Sequence, residues 1–130
     1  MIVLDTHVWI WWVHNDRQLP PAYHQFISAA ESSGLGVSEI SIWEIAMLES
    51  KGRLILPITC TDWLQRALTA RGVQLIHLTP EIAVESANLP GVFHRDPADQ
   101  IIVATARLYN CPLVTLDSRI RGYPHVQLKP

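Results

Sequence analysis

Ile2-Val-Leu-Asp5-Thr6 opens the chain with three apolar residues that stop abruptly at a carboxylate. A short continuous apolar run suits a strand covered on both faces, and such strands sit centrally in parallel sheets. Outward from it, strand and helix signals alternate. Trp9 to Val13 stays apolar until His14-Asn15-Asp16 and Pro20-Pro21 break the chain, and a helix is expected over residues 22–32, with Gly34 past its end. Residues 35–37 read as a second strand, 41–51 as a helix stopped by Gly52, 61–70 as a helix stopped by Gly72, and 73–78 as a third strand. Thr79 then caps and Pro80 starts a helix reaching residue 87, and Asp96-Pro97-Ala98-Asp99 opens a longer one to residue 109, ended by Asn110. Residues 113–116 form a strand that stops at Asp117, and 126–128 a last short one. Such alternation implies an α/β fold, a mostly parallel sheet with helices on both faces.

The 130 residues fit one compact domain with a real core. With 48% hydrophobic and 17% charged residues the chain is too apolar for disorder. A formal charge of −2 argues against nucleic-acid binding through a broad cationic face, so any such contact is local or metal-assisted. Cys60 and Cys111 form no CxxC pair and have no histidines at zinc spacing, so neither a disulfide framework nor a structural zinc site is suggested. The opening run has no basic leader and no apolar stretch is long enough to span a bilayer, so the expected compartment is the cytoplasm and no membrane partner is expected.

In parallel α/β sheets, loops and helix N-termini gather at the edge where strands end. The acids follow that edge. Asp5 and Asp117 end strands, Glu44 falls in the first turn of the helix after the second strand, and Asp96 and Asp99 fall in the first turn of another. Each has a local alternative: Ser41 and Glu44 fit a capping box, Asp96 can cap with Asp99 completing the box, and Asp5 and Asp117 can cap the following turn. Crowded carboxylates repel unless a cation neutralises them, and hard oxygen ligands suit Mg²⁺ or Mn²⁺, which can activate water for phosphodiester hydrolysis. Thr6, Ser41, Thr115 and Ser118 are candidates to orient ligands or water, or else local caps. Arg95, Arg119 and Arg121 adjoin the acids and could steer phosphates, with Lys51 and Arg53 as weaker candidates. His7 beside Asp5 reads as a packing or hydrogen-bonding residue. Trp9, Trp11, Trp12 and Trp43 could floor a partner or RNA site, core filling being the alternative for at least two of them.

Four motifs, Ile2-Val-Leu-Asp5-Thr-His7, Ser38-Glu-Ile-Ser-Ile-Trp-Glu44-Ile-Ala46, His94-Arg-Asp-Pro-Ala-Asp99-Gln-Ile-Ile-Val-Ala-Thr-Ala106 and Leu113-Val-Thr-Leu-Asp117, occur in this order. In that order and spacing the sequence resembles the PIN-domain family, and within it the VapC-type toxins, over essentially its whole length. The resemblance implies a three-layer α/β/α sandwich and an acidic quartet on Asp5, Glu44, Asp99 and Asp117, with Asp96 a cap and outer acid. It further implies RNA cleavage with Mg²⁺ or Mn²⁺, a homodimer, and silencing by a small antitoxin whose C-terminal segment lies over the acids, where Trp9, Trp11, Trp12 and Trp43 are the candidate contacts. A dehalogenase-type phosphatase would need an Asp where His7 stands, and a phospho-receiver a lysine after the late strand. The rival from another class is a catalytically idle module that keeps the fold to bind RNA or protein.

Overall fold

A computed structural model describes residues 1–130. Four parallel strands, β1 (Ile2–Leu4), β2 (Leu35–Ser38), β3 (Val73–Ile76) and β4 (Leu113–Val114), lie in the order β3-β2-β1-β4. The buried β1 is central as its apolar run requires, pairing Val3 with Gly36 on one side and with Leu113 on the other. Successive strand side chains point to opposite faces. Accordingly Ile2 and Leu4 join one core cluster with Trp9, Ile27, Ile45 and Trp63, whereas Val3 joins the other with Ile82, Ile102, Val103 and Ile120.

Helices α1 (Thr6–His14), α2 (Pro21–Ala30), α3 (Glu39–Ser50) and α4 (Cys60–Leu68) supply the first cluster. The second comes from α5 (Pro80–Ala87), α6 (Pro97–Leu108) and the short α7 (Ser118–Arg121). The fold is therefore the expected α/β/α sandwich with a parallel sheet.

Several elements differ from expectation. α1 follows β1 at once, with Asp5 as its N-cap, in a stretch whose unbroken apolar character hid any helical period. α3 begins at Glu39 because Ser38, not Ser41, caps it through Ile40 N, so Glu44 lies in the second turn and the Ser41/Glu44 capping box does not form. β3 and β4 are shorter than their apolar runs, and the expected strand at 126–128 is a single bridge from Leu128 to Leu113. α5 and α6 start as expected, on Thr79-Pro80 and Asp96-Pro97.

The chain runs outward from β1 through β2 to β3 and then crosses back to β4 on the other side of β1, so the strand order reverses between β1 and β4. The crevice outside the strand ends at such a switch point is where α/β sheets collect functional groups. Asp5 and Asp117 follow the two strands that flank it.

Candidate active site

Asp5 is buried, 6% exposed, and both oxygens are spoken for. Oδ1 accepts from Thr6 N at 2.8 Å, which caps α1, and Oδ2 accepts from the Thr115 hydroxyl at 2.7 Å. Thr115 Oγ1 in turn accepts from Asp117 N at 3.1 Å, tying the two strand ends together. On the other side the Thr6 hydroxyl donates to Glu44 Oε1 at 2.5 Å and lies 2.7 Å from Ser41 Oγ. With Thr6's single proton committed to Glu44, Ser41 is left to donate to Thr6. Two threonines thus fix three acids from behind.

Asp96 caps α6, accepting from Ala98 N and Asp99 N at 3.0 and 3.4 Å. Asp99, one turn in, is buried, with Oδ2 3.1 Å from His94 Nε2 and 3.5 Å from Arg119 Nη2. The His94 approach is close but out of line, since Nε2 makes no hydrogen bond there. Asp117 caps α7, accepting from Arg119 N at 2.8 Å and from Arg119 Nη2 at 3.1 Å.

Asp5, Glu44, Asp96, Asp99 and Asp117 all line one cleft of ≈ 410 Å³. Burial pushes Asp99 up to about 8, and the surrounding Asp5, Asp96, Glu44 and Asp117 add to it. Burial likewise raises Glu44 to about 7, against the Thr6 hydrogen bond and helped by Asp5 and Asp96. Asp5 is raised by burial despite its two hydrogen bonds. Asp117 goes the other way: burial works to raise it, but hydrogen bonds from Arg119 outweigh that and leave it below the ordinary range.

No three His, Cys, Asp or Glu side chains stand close enough together to form a ready-made metal cage. The donor set nevertheless fits Mg²⁺ or Mn²⁺ in kind, being hard carboxylate oxygens under mutual repulsion. Mg²⁺ commonly takes only one or two carboxylates, its other positions being filled by water and substrate phosphate.

The other residues singled out in the sequence divide. Thr6, Ser41 and Thr115 stand behind the acids, and Arg119 bridges Asp99 and Asp117. Arg121 instead binds the carbonyls of Thr115 and Pro130, and Arg95 and Ser118 are exposed away from the cleft wall. Trp9 is fully buried and packs edge-on against Trp63, so it cannot floor a partner site; a first-helix position facing the sheet leaves it no path to solvent. Trp12 packs on His24 away from the cleft, Trp11 lines it, and Trp43, 57% exposed, lines an adjoining apolar groove of ≈ 520 Å³ with Ile40 and Met47.

Two cleft residues, His7 and Arg53, were given little weight, and His94, beside Asp99 but outside the cleft lining, was missed. His94 carried no signal beyond its place two residues before the α6 cap. His7 is on the rim. Arg53 is turned back onto the wall because Gly52, at φ 68°, ends α3 in a Schellman motif, with Arg53 N bonded to Leu48 O and Gly52 N to Glu49 O.

The PIN domain family matches residues 2–126. The chain is a PIN-domain protein. It is 38% identical over 124 residues, 95% of its own length and 92% of the relative's, to "Ribonuclease VapC22" of Mycobacterium tuberculosis (strain ATCC 25618 / H37Rv). Its fold is similar to that in the crystal structure of VapBC2 from Rickettsia felis bound to a DNA fragment from their promoter, with a TM-score of 0.72 at 18% identity, covering 99% of this chain and 98% of that one. A toxin–antitoxin complex from Klebsiella pneumoniae is similar too, with a TM-score of 0.67 at 22% identity over 97% and 95% of the two chains. The two solved structures are likenesses of fold, and the M. tuberculosis relative is one of sequence.

Proposed function

We propose that this PIN-domain protein is a Mg²⁺- or Mn²⁺-dependent ribonuclease, the toxin of a toxin–antitoxin pair. The observation that carries the reading is the convergence of Asp5, Glu44, Asp99 and Asp117 from four separate elements on one cleft, with Glu44 and Asp99 pushed far above the ordinary carboxylate range. The name of the M. tuberculosis relative supports the activity, and the toxin–antitoxin neighbours support a small antitoxin partner.

The ion would take its one or two carboxylate ligands from among Asp5, Glu44, Asp99 and Asp117, with the others acting through water, and with Asp96 an outer acid that also caps α6. A divalent ion bound there lowers the pKa of water and offsets charge developing on a phosphoryl oxygen. Thr6 and Thr115 hold the carboxylates in place, and Arg119, paired with Asp99 and Asp117, is a candidate to meet phosphate once an ion takes over those acids. Trp43 and its groove are the exposed aromatic surface for the antitoxin. The active form is a homodimer in the cytoplasm, where both RNA and antitoxin are met.

Purified protein incubated with structured RNA and Mn²⁺ is expected to cleave it, and excess EDTA or Asp5→Asn to stop the cleavage. Persistence of cleavage in the variant or with chelator overturns the metal site. A protein that cuts no RNA with either ion is a binding module instead.

A further inference from the structure

We propose that His7, Trp11 and Arg53 form a nucleotide subsite that takes an unpaired RNA nucleotide beside the scissile phosphate. The inference rests on the ribonuclease reading and adds what the cleft would grip. The acids share the cleft with residues of other kinds. Besides them its lining comes from α1, through His7, Val8 and Trp11, from α3, through Met47 and Leu48, and from Arg53 just past the end of α3.

Two cations reach this cleft, and they differ. Arg119 is committed to Asp117 at 3.1 Å and Asp99 at 3.5 Å. Arg53 is exposed and has no carboxylate within ion-pair distance, although five carboxylates line the same cleft. Its position is set by the backbone turn at Gly52 and not by an acid partner. An uncommitted guanidinium on the wall of an acidic cleft is placed for an anion that must approach those acids, and guanidinium forks match phosphate oxygens.

The same cleft is lined by two aromatic rings. The rings of His7 and Trp11 lie 5.8 Å apart and tilted by 50°, the imidazole exposed and the indole half-buried. A ligand that joins an anionic group to a flat ring is a nucleotide, and aromatic faces take bases without demanding one sequence. The cleft, at ≈ 410 Å³, lies within the roughly 300–1,000 Å³ usual for small-ligand sites. A base in a duplex keeps its face within the stack, so the nucleotide taken here is unpaired, from a loop, bulge or single strand. A peptide drawn to these acids would bring its own cation and gain nothing from Arg53.

The test uses the full chain carrying Asp5→Asn, so that RNA is bound and not cut, and a short labelled single-stranded RNA, alone or annealed to its complement. Arg53→Ala is expected to weaken single-strand binding about tenfold and to lower the salt slope by about one phosphate. His7→Ala is expected to weaken it about threefold through lost stacking. The duplex is expected to bind far less tightly than the single strand. Both side chains are exposed, and unchanged thermal unfolding would show that the fold is kept. In the otherwise native chain the same two substitutions should raise KM for single-stranded RNA more than they lower kcat. If the native chain cuts RNA while both variants bind and cut as it does, or if duplex binds as tightly as single strand, the subsite is wrong and the nuclease stands. If the variants spare RNA but lose copurification with a coexpressed small partner protein, the wall belongs to that partner and the subsite is again wrong. If the native chain cuts no RNA, the nuclease reading fails and takes the subsite with it.

Discussion

Thr6 shows how much one hydroxyl can organise. Its backbone N–H is capped by Asp5, its side chain donates to Glu44, and Ser41, itself fully buried, leans on it. Thr6→Val keeps the shape, removes the hydroxyl and leaves a buried Ser41 without its partner, so a loss of about 1–3 kcal/mol is expected in denaturant unfolding. The same change frees Glu44, and cleavage is expected to fall roughly 10–100-fold, as when an outer partner of a metal ligand is lost. A variant with full activity would mean that Glu44 needs no orientation. The acids and these hydroxyls were legible because strand ends and helix starts are marked in sequence by abrupt changes from apolar to polar. His94 was not, and Arg53 was only a weaker candidate, because what brings them in is the direction of a loop and a positive-φ turn, for which a single chain offers little pattern.

α6 is the element in which a structural and a chemical role overlap, and they can be separated at Asp96. Its side chain accepts two N–H groups of the first turn ahead of Pro97, so Asp96→Ala is expected to cost about 0.5–2 kcal/mol, whereas Asp96→Ser should restore most of the stability. Activity measured on the stable Ser variant then reads the carboxylate alone: near-native cleavage makes Asp96 a cap, and a steep loss makes it a ligand. Helices with both a capping residue and a proline at their start, α5 and α6, were readable to within a residue or two. α1 was not, since Trp9-Ile-Trp-Trp-Val13 is apolar on every side and carries no period. α3 slipped by nearly a turn because Ser38 and Ser41 offer equivalent caps, and only the strand length ahead of them decides between the two. β4 is short because its far side meets only the Leu128 bridge.

For the molecule as a whole, the crowding of acids makes stability a function of pH with a definite sign. Free carboxyls in the unfolded chain titrate near 4, whereas Asp99 and Glu44 titrate at about 8 and about 7 in the folded one. Between those limits the folded protein holds the extra protons. Their contribution is therefore fully present below about pH 4 and is lost as pH rises through 7 and 8. Asp117, depressed by Arg119, contributes in the opposite sense: its share is present above about pH 4 and is lost only in more acid solution. In EDTA the melting temperature is expected to fall by several degrees between pH 5 and 8, and Asp99→Asn, which cannot ionise, is expected to flatten much of that fall. Mn²⁺ requires the ionised carboxylates, so the rise in melting temperature that it produces should grow over the same interval, with proton release at the lower pH. Histidines titrate in this range too, but they are common to both chains, and the difference between native protein and Asp99→Asn isolates the acid. A native protein whose melting temperature in EDTA tracks that of Asp99→Asn at every pH would mean that Asp99 is already ionised without a cation. Its neighbours would then not be crowding it, and the case for a metal at this cleft would lose its physical basis.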